Sequence, residues 1–521
     1  MLSAVSTSFI APLVLLIVAA LALWQPGRRP TGLPRWSEYA ALAGLALAAG
    51  GLLQLLVFGP SKFLVLEGPM LLALRADIIS VTMVLLVSFI GWVVLRYSRT
   101  YLDGEEREGA FHGLMLATLA AVLVFVQSGS LAVLVLSAVA VGLGLRQLLL
   151  FYPARQEARR AATKFTLVWH AGDAALIAAA AILFVSLGTA DLAEIVPAAE
   201  ASGLTLWMSI AVALVVIAAV LKTAAFPVHG WLTEVMEAPT PVSALLHAGI
   251  INSGGILLIT VAGVVQLSPG AMAALVILGG FTALFGAAVM LTQSAVKTSL
   301  AWSTVSQMGF MLLQCGLGLW ALAVLHIVAH SLYKAHAFLS SGGAVETVAS
   351  LRRPGPIAVP DVAAVLKSFG IAIVLYTLIA VLFTAILGPK SPQALALGAI
   401  LIFGVAYLLA QGMADKAPAE LTTRTALASI AAAFAYFTFQ LVAQTVWGPA
   451  LPVAPVPGPL EWVLLSLAVL SFGLVAFAQA LFPLWAQHPS TAGLRVHLAN
   501  GFYLNALLDR WIGGFRTVKV N

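Results

Sequence analysis

Charge is scarce in this sequence. Only 9% of its 521 residues are Asp, Glu, Lys or Arg, while 61% are hydrophobic. Soluble domains carry about a quarter charged residues, so the two or three water-soluble domains that the length alone suggests are excluded. Cysteine is scarcer still. The single Cys315 excludes an intrachain disulfide and any cysteine-rich zinc or iron–sulfur site. There is no H-E-x-x-H, and the nine histidines do not cluster with cysteine. Gly142 and Gly144 of "VGLGLRQ" lack the third glycine of a dinucleotide-binding turn and lie in an apolar run. The net charge of +6 is no nucleic-acid signal, because its sources sit between apolar runs.

Those runs are what the sequence has in abundance. The mean hydropathy is +1.04, and segments of about 18 or more apolar residues, each long enough to span a bilayer as a helix, recur along the chain. The expected fold is all-α: a polytopic transmembrane helix bundle of about fifteen spans, near 8–24, 37–59, 77–96, 110–127, 130–151, 165–187, 206–226, 240–265, 271–292, 303–318, 320–340, 364–387, 392–413, 424–447 and 460–483. The run at 9–24 has no basic region before it and no clear cleavage site after it, so it reads as a retained span rather than a signal peptide. With the N-terminus outside, the inside loops carry Arg28, Arg29, Arg35, Arg96, Arg99, Arg107, Arg146, Arg155, Arg159, Arg160, Lys164, Lys297, Arg352, Arg353, Lys416 and Arg424. Arg495, Arg510, Arg516 and Lys519 join them in the tail, and the outside loops carry only Lys62, Arg75 and Lys390. This asymmetry predicts an odd number of spans with the C-terminus inside. The tail "RVHLANGFYLNALLDRWIGGFR" is too polar to span and reads as an interfacial helix, a docking segment or a frayed amphipathic end.

Charged side chains inside the spans are few, and each costs roughly 2.5–3.5 kcal/mol at the bilayer centre. "HIVAHSLYKAH" places His326, His330 and Lys334 at i, i+4 and i+8, on one side of a helix. A lone histidine is usually helix glue. Three titratable groups in one stripe point instead to a proton relay along hydrogen-bonded water. His336 points elsewhere and is a secondary candidate. The second cluster is "LKTAAFPVHGWLTEVMEAPTPVSALLHAGIINSGG". Lys222 lies in a span, Pro227 breaks the helix, and Glu234, Glu237 and His247 follow. Broken helices at membrane depth are tolerated where they line a cavity or are covered by protein, and their freed ends can hold ions. Lys222 needs a counter-charge, for which Glu237 and Asp173, in "WHAGDAALIAA", are the candidates. Glu234 could instead cap a loop. Lys297 could link the two clusters or anchor an inside loop, and Lys390 snorkels at the outer face.

The stretches "KTAAFPVHGWLTEVMEAPTPVSALLHA", "VKTSLAWSTVSQMGF" and "HIVAHSLYKAHAFLSSG" resemble the proton-conducting antiporter-like membrane subunits, which include the ND-five-type subunit of respiratory complex I and the large Mrp antiporter subunit. The resemblance covers roughly 75–350 and, less closely, the tail. It implies inverted five-helix repeats, each with a broken helix, and four divisions: 1–109 as N-terminal transmembrane helices, 110–265 as a first antiporter-like repeat, 271–447 as a second, divergent repeat, and 460–521 as a last span with an interfacial or docking tail. It also implies that Lys222 is the lysine of the first broken helix, that His247, His326, His330 and Lys334 form the central polar axis, and that Asp173 is a buried acid. Two features depart from the family pattern. Ser137 stands where the family carries a glutamate, and the lysine motif of a second broken helix is missing, with Lys390 the nearest candidate.

With "LLLFYPARQEARRAATKF", these departures look most like the DabB-type subunit of bacterial inorganic-carbon accumulation complexes. That likeness implies a proton- or sodium-conducting subunit in the bacterial inner membrane, with no cofactor or metal of its own. It further implies a DabA-type partner, similar to a carbonic anhydrase, that carries zinc and hydrates CO2. The chain itself would not be an enzyme. The alternatives are a pumping or antiporter subunit of a complex I-, hydrogenase- or Mrp-like assembly, and a structural membrane scaffold.

Overall fold

The computed structural model describes residues 5–68, 71–343, 361–412, 419–485 and 488–511. Arg352, Arg353, Lys416, Arg516 and Lys519 lie outside the described residues. Hydrocarbon offers no water to a peptide group, and a helix satisfies its own backbone. Each apolar run accordingly falls on a helix.

The chain opens with α1 (Ala11–Trp24) and α2 (Leu33–Phe58). A two-stranded antiparallel hairpin follows, β1 (Ser61–Leu66) with β2 (Leu72–Ala76), which an all-helical reading does not foresee. The hairpin knits one face of the bundle: Arg75 N–H donates to Gln127 O, Gly129 N–H donates to Ala73 O, and Lys62 pairs with Asp191. Next come α3 (Ile78–Tyr101), α4 (Glu108–Val126), α5 (Leu131–Leu149), α6 (Gln156–Leu187), the short α7 (Leu192–Ser202) and α8 (Leu206–Lys222). Polar residues at the run boundaries fix the helix starts. Asp77, Ser130 and Thr205 accept backbone N–H groups in the first turns of α3, α5 and α8.

Helix α8 stops at Lys222. Pro227 has no N–H to continue the ladder, and the backbone leaves helical geometry over 223–229. The chain resumes as α9 (Gly230–Thr233) and turns through Val235–Glu237 into α10 (Thr240–Ala248), α11 (Ser253–Thr260) and α12 (Ala262–Gln266). Then follow α13 (Pro269–Met290), α14 (Val296–Gly316), α15 (Trp320–Ser340), α16 (Val362–Leu387), α17 (Pro392–Gly412), α18 (Ala419–Val446), α19 (Pro459–Ala480), α20 (Phe482–Trp485), α21 (Ala492–Ala499) and α22 (Leu504–Trp511). Among the described residues, twelve helices are long and apolar enough to cross a membrane. Helices α8 and α17 are shorter in their apolar part, and α14 is more polar. The break after Lys222 has no counterpart in α16 or α17, which run continuously. The second broken helix that the resemblance implies is thus not among the described residues, in keeping with the missing lysine motif.

The span Thr240–Thr260 lies at the centre, with 94% of its most apolar window buried, against 17% for α16. Helix α10 packs on α3 and α15, α11 on α8, and α6 on α8. A smaller apolar cluster of Tyr376, Ile379, Ile402 and Phe437 joins α16 to α18.

Apolar burial does not distinguish helix partners in a bilayer, so close backbone approach must. The α13–α14 pair shows this. A Cβ on Gly279 would lie 2.7 Å from Gly309 O, one on Gly309 would lie 2.4 Å from Ala283 N, and one on Gly286 would lie 2.7 Å from Ser306 N. We predict that Gly309→Leu separates α13 from α14. Overpacking of this kind costs about 1–3 kcal/mol, and it should appear as earlier thermal unfolding in detergent. An unchanged transition would mean that the two backbones are not in contact.

Candidate functional site

Lys222 is the last residue of α8, where the exposed carbonyls of a helix end favour a cation. Its Nζ donates to Asp173 Oδ1 at 2.5 Å, and both side chains are buried. The other carboxylate oxygen, Asp173 Oδ2, lies 2.8 Å from His170 Nδ1, and the His170 side chain is 37% exposed. The triad therefore runs from the bundle interior to its surface. Trp169, one turn before Asp173 on α6, closes the pocket from another side: Lys222 Nζ lies 4.1 Å from its ring centroid, a cation–π distance. Trp169 needs the glycine opposite it, since a Cβ on Gly142 would approach its ring to 2.4 Å.

Of the two counter-charges considered from sequence, Asp173 is the one at Lys222. Glu237 pairs instead with Arg155 at 3.0 Å, and both of those side chains are partly exposed. Ser137 offers no charge, because its hydroxyl donates to Val133 O of its own helix at 2.6 Å.

The second cluster lies between α10, α14 and α15. His247 Nδ1 is 3.0 Å from Thr304 Oγ1, and its ring stacks on Phe338 with centroids 4.3 Å apart. His330 Nε2 donates to His247 O at 3.1 Å. His326 Nδ1 lies 2.9 Å from Gln314 Oε1, and the His326 and His330 rings are 5.9 Å apart. Lys334 Nζ donates to Ser303 Oγ at 2.8 Å and to Leu300 O at 3.1 Å. Among the described residues no carboxylate pairs with Lys334, although it is fully buried. The i, i+4, i+8 stripe thus faces one set of neighbours. His247 Nε2 and His326 Nε2 are buried without a hydrogen-bond partner among the described residues.

Lys297 touches both readings offered for it. Its Nζ donates to Thr240 Oγ1 at 3.0 Å, at the head of α10, and it lies on α14 about one turn before Leu300 and two before Ser303. His336 is exposed. Lys390 lies in the turn between α16 and α17, and among the described residues no hydrogen bond or ion pair joins it to either cluster.

Glu234 belongs to a third group that sequence reasoning missed. Its carboxylate accepts from Lys164 at 2.6 Å and lies 4.0 Å from Arg160. Burial pushes the Glu234 carboxyl above the usual carboxylate range, against the pull of Lys164. Lys164, fully buried, also meets Asp509 of α22 at 2.7 Å. In sequence, Lys164 reads as one more basic loop residue of "ARRAATK", and Asp509 is far along the chain. The sequence offered only the polar tail as a whole, read as an interfacial helix, a docking segment or a frayed end. Among the described residues no group of three or more His, Cys, Asp or Glu side chains is placed to hold a metal ion.

The chain is similar to several known proteins. The sequence pattern of the transmembrane region of the NADH:quinone oxidoreductase/Mrp antiporter proteins matches residues 128–355. That of the N-terminus of chain 5 of NADH-ubiquinone oxidoreductase (complex I) matches residues 69–112. The chain is 38% identical over 499 residues to a protein of Halothiobacillus neapolitanus named "Probable inorganic carbon transporter subunit DabB2", covering 92% of this chain and 87% of that one. It is 46% identical over 270 residues to "Probable inorganic carbon transporter subunit DabB" of Hydrogenovibrio crunogenus, about half of each chain (51% and 52%). Its fold is similar to a chain in the structure of the Mrp complex from Dietzia sp. DQ12-45-1b, with a TM-score of 0.64 and 23% identity over 99% of this chain and 61% of that one.

The Lys222–Asp173 geometry makes a quantitative prediction. Removing one partner of a buried ion pair costs about 3–5 kcal/mol, whereas replacing both with apolar residues is often neutral. Asp173→Ala should therefore lower the unfolding temperature in detergent, and Asp173→Leu combined with Lys222→Met should restore most of the loss. Equal losses in both variants would mean that the pair is not desolvated.

Proposed function

This chain belongs to the antiporter-like membrane subunits of the NADH:quinone oxidoreductase/Mrp family, among its DabB-type members, and from that premise we propose that it is the cation-conducting subunit of an inorganic-carbon transporter. The observation that carries this reading is the buried lysine at the end of a broken helix, held by a single carboxylate that also reaches a half-exposed histidine. Asp173 touches both groups, so a proton can pass between His170 and Lys222 without either cation facing hydrocarbon alone. The Lys334–His330–His326–His247 group continues the polar axis, and the orphaned ring nitrogens of His247 and His326 are sites where water or a proton would bind. Protons suit these side chains better than sodium, which favours several oxygen ligands.

The proposal extends to the assembly. The N-terminus lies outside and the C-terminus in the cytoplasm of a bacterial inner membrane, as the basic loops require. A zinc-bearing, carbonic-anhydrase-like partner hydrates CO2, and the cation gradient that this chain admits makes accumulation one-way. Catalysis belongs to that partner. Glu237 and Lys297 flank the inner end of the path. The continuous α16 favours this reading over a complete redox-driven pump, for which a second broken helix would be needed.

Lys222→Ala and Lys334→Ala should each abolish growth that depends on ambient CO2 while the assembled complex still purifies with its zinc-bearing partner. Growth as in the parent strain would overturn the reading. Redox or small antiporter subunits in the purified complex, without such a partner, would replace it with the pump or antiporter reading.

A further inference from the structure

The segment after the break is held from outside by the C-terminal tail. Asn505 Nδ2 donates to Thr233 Oγ1 at 3.1 Å. A Cβ on Gly230 would lie 1.9 Å from Asn505 Oδ1, so a larger residue there would displace the Asn505 side chain from α9. Gly501 packs against Trp302 of α14, where a Cβ would come within 3.2 Å of the indole ring, and Gln293 Nε2 donates to Ala499 O at 3.2 Å. The deepest contact is Asp509, which is 5% exposed and meets Lys164 at 2.7 Å. Lys164 in turn holds Glu234, four residues after Gly230, so one buried cation ties the tail to the chain that follows the break.

These contacts are unlike those of the spans. The attachment is a handful of polar bonds, two glycine contacts and a little apolar packing, Leu504 on the core and Phe502 near Phe285, while the far side of α22 exposes Leu507 and Trp511. Elements with few buried apolar contacts open first. The chain they hold, 223–237, has little regular helix of its own, so its position depends on what packs against it. Lys222 lies at its start.

We propose that the C-terminal segment Ala492–Trp511 is a latch over the inner mouth of the ion path, with Asp509 on Lys164 as its catch. Closed, it fixes Glu234 and the α9 segment and keeps water from the Lys222–Asp173 pair on that side. Opened, it frees the segment and admits the ion. Lys164 and Asp509 are positioning residues in this scheme. The latch rests on the conducting role proposed above, and the test separates the two.

The test uses the assembled complex in vesicles, with an imposed pH gradient and a pH-sensitive dye. Thr233→Cys combined with Asn505→Cys puts two thiols where the side chains now hydrogen bond, and the native Cys315 is buried. Oxidation should lock the latch and stop proton flux, and a reductant should restore it. Asp509→Asn should raise the passive proton leak, and Asp509→Glu should not. Flux in the oxidised protein equal to that in the reduced protein would overturn the latch, as would an Asp509→Asn leak no greater than that of the unaltered complex. If the unaltered complex itself passes no protons, and no sodium in a matching sodium gradient, the conducting role falls and the latch with it.

Discussion

The buried Lys222 ammonium is held by one carboxylate, and the packing around it is arranged to bring the two together. An unpaired charge at the bilayer centre costs roughly 2.5–3.5 kcal/mol on insertion scales. Pairing offsets this cost but rarely turns it into net stability. The Lys222–Asp173 pair is therefore a poor device for holding helices together, and the structure has better ones, such as the glycine contacts between α13 and α14. What the pair does require is costly local geometry. Helix α8 ends at the lysine, α6 brings Asp173 and Trp169 to the same point, and Gly142 of α5 leaves room for the indole. A cost sustained by three helices at one point is the physical argument for function there.

Composition and run length made most of the fold legible, because a bilayer leaves helices almost no alternative. The buried polar residues were legible for the same reason: Lys222, Asp173, His247, His330 and Lys334 stand out against apolar neighbours. Pro227 marked the break. The choice between Asp173 and Glu237 was not legible, since both lie near Lys222 in any helical drawing and only the packing of α6 on α8 decides between them. The hairpin at Ser61–Leu66 and Leu72–Ala76 was missed although Gly68-Pro69 marks a turn between its strands, because so short a segment between two long apolar runs reads as their connecting loop.

Lys164 and Asp509 were illegible for a different reason. A lysine in a basic stretch carries no mark of burial, and its partner lies at the other end of the sequence. Salt bridges between distant segments leave no periodic trace. Glu234 could be flagged but not understood, because its meaning comes from Lys164 and the tail.

The two buried clusters differ in a way that bears on how a cation could move. At the first, an ammonium faces a carboxylate. A proton that passes from Lys222 to Asp173 leaves the net charge of the pair unchanged, so the apolar surroundings impose little extra cost on the transfer. At the second, Lys334 faces a hydroxyl and a backbone carbonyl, and His330 faces another carbonyl. These dipoles moderate a positive charge but do not cancel it, so each proton added there changes the charge of the site. On the conducting role proposed above, the electrostatic work of moving a cation through the bundle falls on the second cluster. Because α10 holds His247 and α14 holds Ser303 and Leu300, that work is exerted on the helices that meet Thr240 and Lys297 at the inner end.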